Sequence, residues 1–254
     1  MFEDGSCTEQ ILAGETTVPA LQFPGLFEQF TPPFRLQAEQ TPSGGSGLAG
    51  PPSFPTVLRG AGTSSQVVVG AGDTALSVDS SFRAPDGSLI ETQSVMVPPN
   101  GALSIDFEGT DLEFGSLALA VDPPDAHILS TEIISLPGVP PLGVIPSPLC
   151  TNPEFLMVES SDRRTAGAFS NPSSGDTATC NWEVFAEEGV SLGGGSFEVP
   201  PLGQLQFFPE ELTTLPEGFL GSFKATCDVK VRIFSLFQNA DGSLTSNAAG
   251  CGEQ

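Results

Sequence analysis

One stretch of this chain is written twice. Gly72-Asp73-Thr74-Ala75 recurs as Gly175-Asp176-Thr177-Ala178, an offset of 103 residues. Beyond that tetrad the offset becomes 102. Asp86-Gly87 meets Glu188-Gly189, Val97-Pro98-Pro99 meets Val199-Pro200-Pro201, and Gly101 meets Gly203. Gly115-Ser116 then meets Gly221-Ser222, and Asp122 meets Asp228, at an offset of 106. A repeat of this length is a structural unit that was copied, so whatever one half folds into, the other must fold into as well.

The change of offset matters because side chains of a strand alternate between its two faces. A one-residue error would turn every core residue outward. With the 102 offset, Leu76, Val78, Ser80 and Phe82 fall on Ala178, Cys180, Trp182 and Val184, a mostly apolar face in both copies. A bulge before this strand is expected to supply the extra residue. Later, Leu117, Leu119 and Val121 fall on Phe223, Ala225 and Cys227. Two valines of the first copy are thus two cysteines in the second, at facing core positions. A Cys180–Cys227 disulfide joining two strands through the core is expected, with Trp182 on the same face covering it. The alternative is a pair of buried thiols. Closing that loop would stabilise the fold by ~3–4 kcal/mol on the chain-entropy argument.

The runs between the repeated landmarks are short, alternating and separated by turn residues. Gly 29 and Pro 24 supply the breaks, and helical periodicity is nearly absent. The first copy reads as strands near 56–59, 66–69, 75–82, 89–97, 102–107, 116–121 and 126–134. Pro85-Asp86-Gly87 marks a hairpin, and Pro98-Pro99-Asn100-Gly101 a second turn. About seven short strands per copy predict an all-β protein: two tandem Ig-like antiparallel β-sandwich domains with an extended N-terminal arm. The expected boundaries are an arm and flexible linker at 1–52, a first sandwich at 53–136, a proline-rich spacer at 137–153 and a second sandwich with a C-terminal tail at 154–254. Six prolines between 137 and 153 predict a semi-rigid spacer holding the two domains apart.

The arm holds Ile11, Leu12, Val18, Leu21, Phe23, Phe27 and Phe30 but has no core of its own. Its tether, Thr41 to Pro52, is rich in Gly, Ser and Pro. Such an arm folds back on its own domain or packs on a neighbouring subunit. A net charge of −23 with eight Lys+Arg argues against nucleic acid as a partner. No run of about 18 apolar residues is present to insert into a membrane. Self-association, or another surface protein, is the expected partner class; any small-molecule ligand is unspecified. Five cysteines without C-x-x-C spacing or a Cys/His cluster point to disulfides, and so to export, rather than zinc. Cys150 and Cys251 bracket the second copy and are candidates for stapling its ends. With Cys7 they allow three pairings. Met1-Phe2-Glu3-Asp4 does not read as an export leader, which is expected to be absent from this sequence.

No catalytic set emerges and no cofactor is expected. His127 is the sole histidine, the one a Ser-His-Asp set would need, but it sits in a strand-like run after Asp122-Pro123-Pro124-Asp125 and reads as a structural or surface residue. Asp106, Glu108, Asp111 and Glu113 are close enough in sequence to form a weak calcium candidate, but they lack the D-x-D-x-D-G loop. Gly250-Cys251-Gly252-Glu253-Gln254 resembles the internal thioester motif of the α2-macroglobulin and complement family, here without the helical domain that shields such a bond.

One resemblance bears on function. Val199-Pro200-Pro201-Leu202-Gly203-Gln204-Leu205, followed by Leu215-Pro216-Glu217-Gly218-Phe219-Leu220-Gly221-Ser222, resembles a β-sandwich repeat of about a hundred residues found in secreted and surface proteins of bacteria. The match covers the second copy; the first lacks the L-P-x-G-F piece. The resemblance implies surface exposure, a structural or adhesive role, and no catalytic residues. The expectation is a non-enzymatic extracellular structural protein of a surface layer, appendage or filament. The alternative is a cell-surface adhesion or glycan- or protein-binding module. Sugar platforms usually need Trp or Tyr, and this chain has one Trp and no Tyr.

Overall fold

The computed structural model describes residues 52–252 apart from 110, 112, 125, 127, 145–148 and 248. Within them the protein is all-β and antiparallel. The first half contributes β1 (Ser53–Arg59), β2 (Ser64–Ala71), β3 (Leu76–Arg83), β4 (Leu89–Val97), β5 (Ala102–Phe107), β6 (Glu113–Asp122), β7 (Ile128–Ser135) and β8 (Leu142–Val144). After β9 (Leu149–Cys150) come β10 (Pro153–Ser160), β11 (Arg163–Ser170), β12 (Ala178–Ala186), β13 (Ser191–Val199) and β14 (Gln204–Phe207). The chain ends through β15 (Phe219–Cys227), β16 (Val231–Asn239), β17 (Leu244–Asn247) and β18 (Ala249–Cys251).

In the first half, sheets ordered β1-β6-β3-β4 and β5-β2-β7-β8 share one core. The second half repeats both orders as β10-β15-β12-β13 and β14-β11-β16-β17. Its layers are joined into one sheet because β10 and β11 pair only beside their turn, at Glu159↔Arg164 and Ser160↔Arg163. The same device bridges the layers in both halves. Ser65 Oγ accepts from the Leu58 amide at 3.0 Å, and Thr165 Oγ1 from the Val158 amide at 2.7 Å.

The register matches residue for residue where the repeat predicted it. Val78 faces Val121 and Phe82 faces Leu117; Cys180 faces Cys227 and Val184 faces Phe223. A register shift falls at the same place in each hairpin, between Phe82 and Arg83 and between Val184 and Phe185. The turns repeat too: Asn100 and Leu202 both adopt positive φ (55° and 58°) and donate their amides to Gly72 and Ser173 carbonyls.

Two expectations are corrected. The offset change is not a bulge ahead of β12. It lies in the longer connection 171–177, where the Asn171 side chain donates to the Asp176 and Val199 carbonyls and holds the loop together. The stretch 137–153 is not a spacer either. Leu142–Val144 joins the first half as edge strand β8, with Leu142 and Val144 in its core, and Leu149–Cys150 pairs with β16. Neither paired segment contains a proline, so none has to donate an amide to the ladder.

The halves are in contact. Ala168 and Phe234, on the outward face of β11 and β16, are buried in the same cluster as Phe54 and Val57 of β1. At the turns, the Gln204 amide donates to the Pro85 carbonyl at 2.9 Å. A Cβ on Gly203 would stand 2.5 Å from that carbonyl, and one on Gly87 would stand 2.2 Å from the Pro201 carbonyl, so both positions need glycine.

Candidate assembly face and cystine clamps

Two disulfides organise the second half. Cys180–Cys227 has its Cα atoms 4.0 Å apart, and Cys150–Cys251 5.9 Å apart. The first differs from expectation in one respect. It joins directly opposed residues of neighbouring strands β12 and β15 in one sheet, instead of crossing between layers. Val78 and Val121 are side by side in the first half for the same reason. Trp182, on the same face, is 8% exposed and stacks on Phe223 at 6.0 Å.

Cys150–Cys251 ties strand β9 to strand β18, the two ends of the second half, and spans 101 residues. Strand β18 itself lies along β10, pairing Pro153↔Cys251 and Phe155↔Ala249. With its sulfur bonded to Cys150, Cys251 is not available for a thioester. Cys7, His127 and the arm residues Ile11, Leu12, Val18, Leu21, Phe23, Phe27 and Phe30 lie outside the described residues.

The structure does not gather the acidic quartet into a cation site. Asp106 accepts from Gln66 Nε2 at 2.7 Å, and Glu113 pairs with Arg59 at 2.5 Å. Arg59 also reaches Glu91 at 2.5 Å and lies over the Phe82 ring. Among the described residues no group of three or more His, Cys, Asp or Glu is placed to hold a metal. A shallow groove of about 240 Å³ is lined by Glu159, Glu210, Glu217 and Leu215. Partial burial holds the Glu159 carboxyl above its ordinary value. The Thr165 amide, donating to it at 2.9 Å, pulls the other way.

One residue escaped the sequence reading. Glu132 on β7 is fully buried, and its carboxylate oxygens reach no hydrogen-bond partner. Ser65 lies near enough to favour the charged form slightly, without hydrogen-bonding geometry. Burial dominates and pushes the carboxyl up to about 8. Its counterpart in the second half is Ser235, whose hydroxyl donates to the Ala166 carbonyl at 3.1 Å and accepts from Asn247 at 2.9 Å. The available signal was an acid at an inward position of the alternating run Ile128–Ser135.

The outward face of β2 and β7 is the counterpart of the outward face of β11 and β16. Register gives the pairs Val68↔Thr131 and Gly70↔Leu129 in one half, and Ala168↔Phe234 and Ser170↔Arg232 in the other. The second set is buried, with Ala168 and Phe234 in the first half's core, whereas in the first set Leu129 is 65% exposed.

No protein-family model matches the chain, and no curated protein matches it. The structure defines a class: an antiparallel all-β protein with two disulfides and, among the described residues, no helix long and apolar enough to cross a membrane. These features are compatible with an extracellular protein.

Proposed function

We propose that this is a non-enzymatic structural or assembly protein, secreted or held at a cell surface. It consists of two tandem Ig-like β-sandwiches whose N-terminal arm packs on a neighbouring subunit in a surface layer, appendage or filament. The resemblance to secreted bacterial β-sandwich repeats supports this reading. The observation that carries it is the Cys150–Cys251 bond across the ends of the second half. It ties β9 to β18, the first and last strands of that half, so neither end can peel away, which suits a subunit that must persist outside the cell. The binding-module alternative is further weakened because Trp182 is buried among phenylalanines and offers sugars no exposed platform.

Light scattering on the oxidised protein tests the proposal. The full chain is expected to form oligomers, and residues 53–254, which lie within one compact unit, are expected to stay monomeric. A full chain that remains a monomer at high micromolar concentration would refute arm-mediated assembly.

A further inference from the structure

We infer that the outward face of β2 and β7 in the first half is the seat for the apolar stretch 16–27 of a second copy's arm. The inference rests on the assembly reading above and names the surface that reading needs.

Three observations converge on it. The first is the duplication itself. In the second half, the counterpart positions Ala168, Ser170, Arg232 and Phe234 are all less than a tenth exposed, and two of them, Ala168 and Phe234, share the core of the half that precedes them. In the first half, what precedes is residues 1–51. The equivalent positions Val68, Gly70 and Thr131 are part-exposed and Leu129 is 65% exposed. The copied unit carries a face that is packed in one copy and open in the other.

The second is charge. The chain has a formal net charge of −23. Yet the outward positions of β2 and β7 (Gln66, Val68, Gly70, Leu129, Thr131 and Ile133) include no ionisable group, and the acid beside them, Asp106 on β5, lies at the margin opposite Gln66 and accepts from its side chain. The outward face of β12 and β15 carries Glu183 and Lys224, and that of β3 carries Asp79. Copies of so acidic a protein repel one another, so contact between them is least costly at a neutral, part-apolar face.

The third is the occupant. Residues 16–27, Thr-Thr-Val-Pro-Ala-Leu-Gln-Phe-Pro-Gly-Leu-Phe, contain no charge, and Glu15 and Glu28 flank them. The same open side of another copy's second half is a poorer occupant. Its edge at β10 is already lined by β18, whereas among the described residues no such strand lies beside β1.

The test is a cross-link in the full chain. Cys7→Ser removes the arm's own thiol, and Leu21→Cys with Thr131→Cys places one thiol in the arm and one in the seat. A short bismaleimide is then applied to the native, oxidised protein. The expected result is a ladder of covalent multimers on a denaturing gel. A product linked only within one chain would keep the seat but overturn exchange of arms between copies. No arm-to-seat product of either kind would overturn the seat. As a check that does not depend on the engineered thiols, Leu129→Glu alters a side chain already in solvent. It is expected to weaken association at least tenfold while leaving thermal unfolding unchanged, and unaltered association would contradict the inference.

Discussion

The two halves share a frame and differ in what fills it. The first core is mainly aliphatic: Val67, Val69, Val78, Leu117, Leu119 and Ile134 pack with Phe54 and, among the described residues, one close ring pair, Phe82 and Phe107 at 5.7 Å. The second is aromatic, with Phe155 on Phe223 at 4.9 Å, Phe169 on Phe207 at 5.8 Å and Trp182 on Phe223, and two disulfides are added. Strand order, register, turn conformations and the hydroxyl bridge between layers are unchanged. Fold is therefore carried by alternation and turns, which tolerate wholesale exchange of core residues when volume and pattern are kept. Stability is carried by the contents, and there the first half has a liability: Glu132 where its copy has a fully bonded Ser235.

The largest test of this difference removes the clamp. Cys150→Ser with Cys251→Ser frees a loop of 101 residues, for which chain entropy gives about 5 kcal/mol. Denaturant unfolding of the double variant is expected to shift the second half from the more stable to the less stable part of the molecule. Two transitions in an unchanged order would count against the comparison.

The next test concerns pH. The folded-state value of Glu132 is raised, from 4.5 to about 8. Below pH 4.5 both folded and unfolded chains hold the proton, and the contribution of the neutral buried carboxyl is fully present. Between 4.5 and 8 only the unfolded chain releases it, so stability falls as pH rises and levels off above 8. Glu132→Gln should match the parent near pH 4 and exceed it by about 3 kcal/mol at pH 7. Equal pH profiles for parent and variant would show that Glu132 is not buried as described.

Much of the frame was legible because period-two alternation and Gly/Pro punctuation are local signals. All seven strands expected in the first copy are present, and aligning Val78 and Val121 with Cys180 and Cys227 identified a pair that the structure bonds. What was hidden depends on distant contacts. Strands β8 and β9 sit among prolines that mimic a spacer, and only their partners β7 and β16 reveal them as strands. The seating of one half on the other left a trace that went unread. Val231-Arg232-Ile233-Phe234 is buried at four consecutive positions, as a strand covered on both faces must be, whereas the equivalent Ile128-Leu129-Ser130-Thr131 is not. The proposed assembly face was illegible for the same reason: outward residues gain meaning only when their copies are seen covered.

Paired substitutions at one equivalent site test the central comparison most directly. Ala168→Asp and Val68→Asp place the same carboxylate on the same strand of each half, measured by denaturant unfolding at a concentration where the chain is monomeric. The account predicts a loss of roughly 2–3 kcal/mol for Ala168→Asp, where the charge would be sealed between the halves, and under about 0.5 kcal/mol for Val68→Asp. Equal losses at the two positions would contradict it.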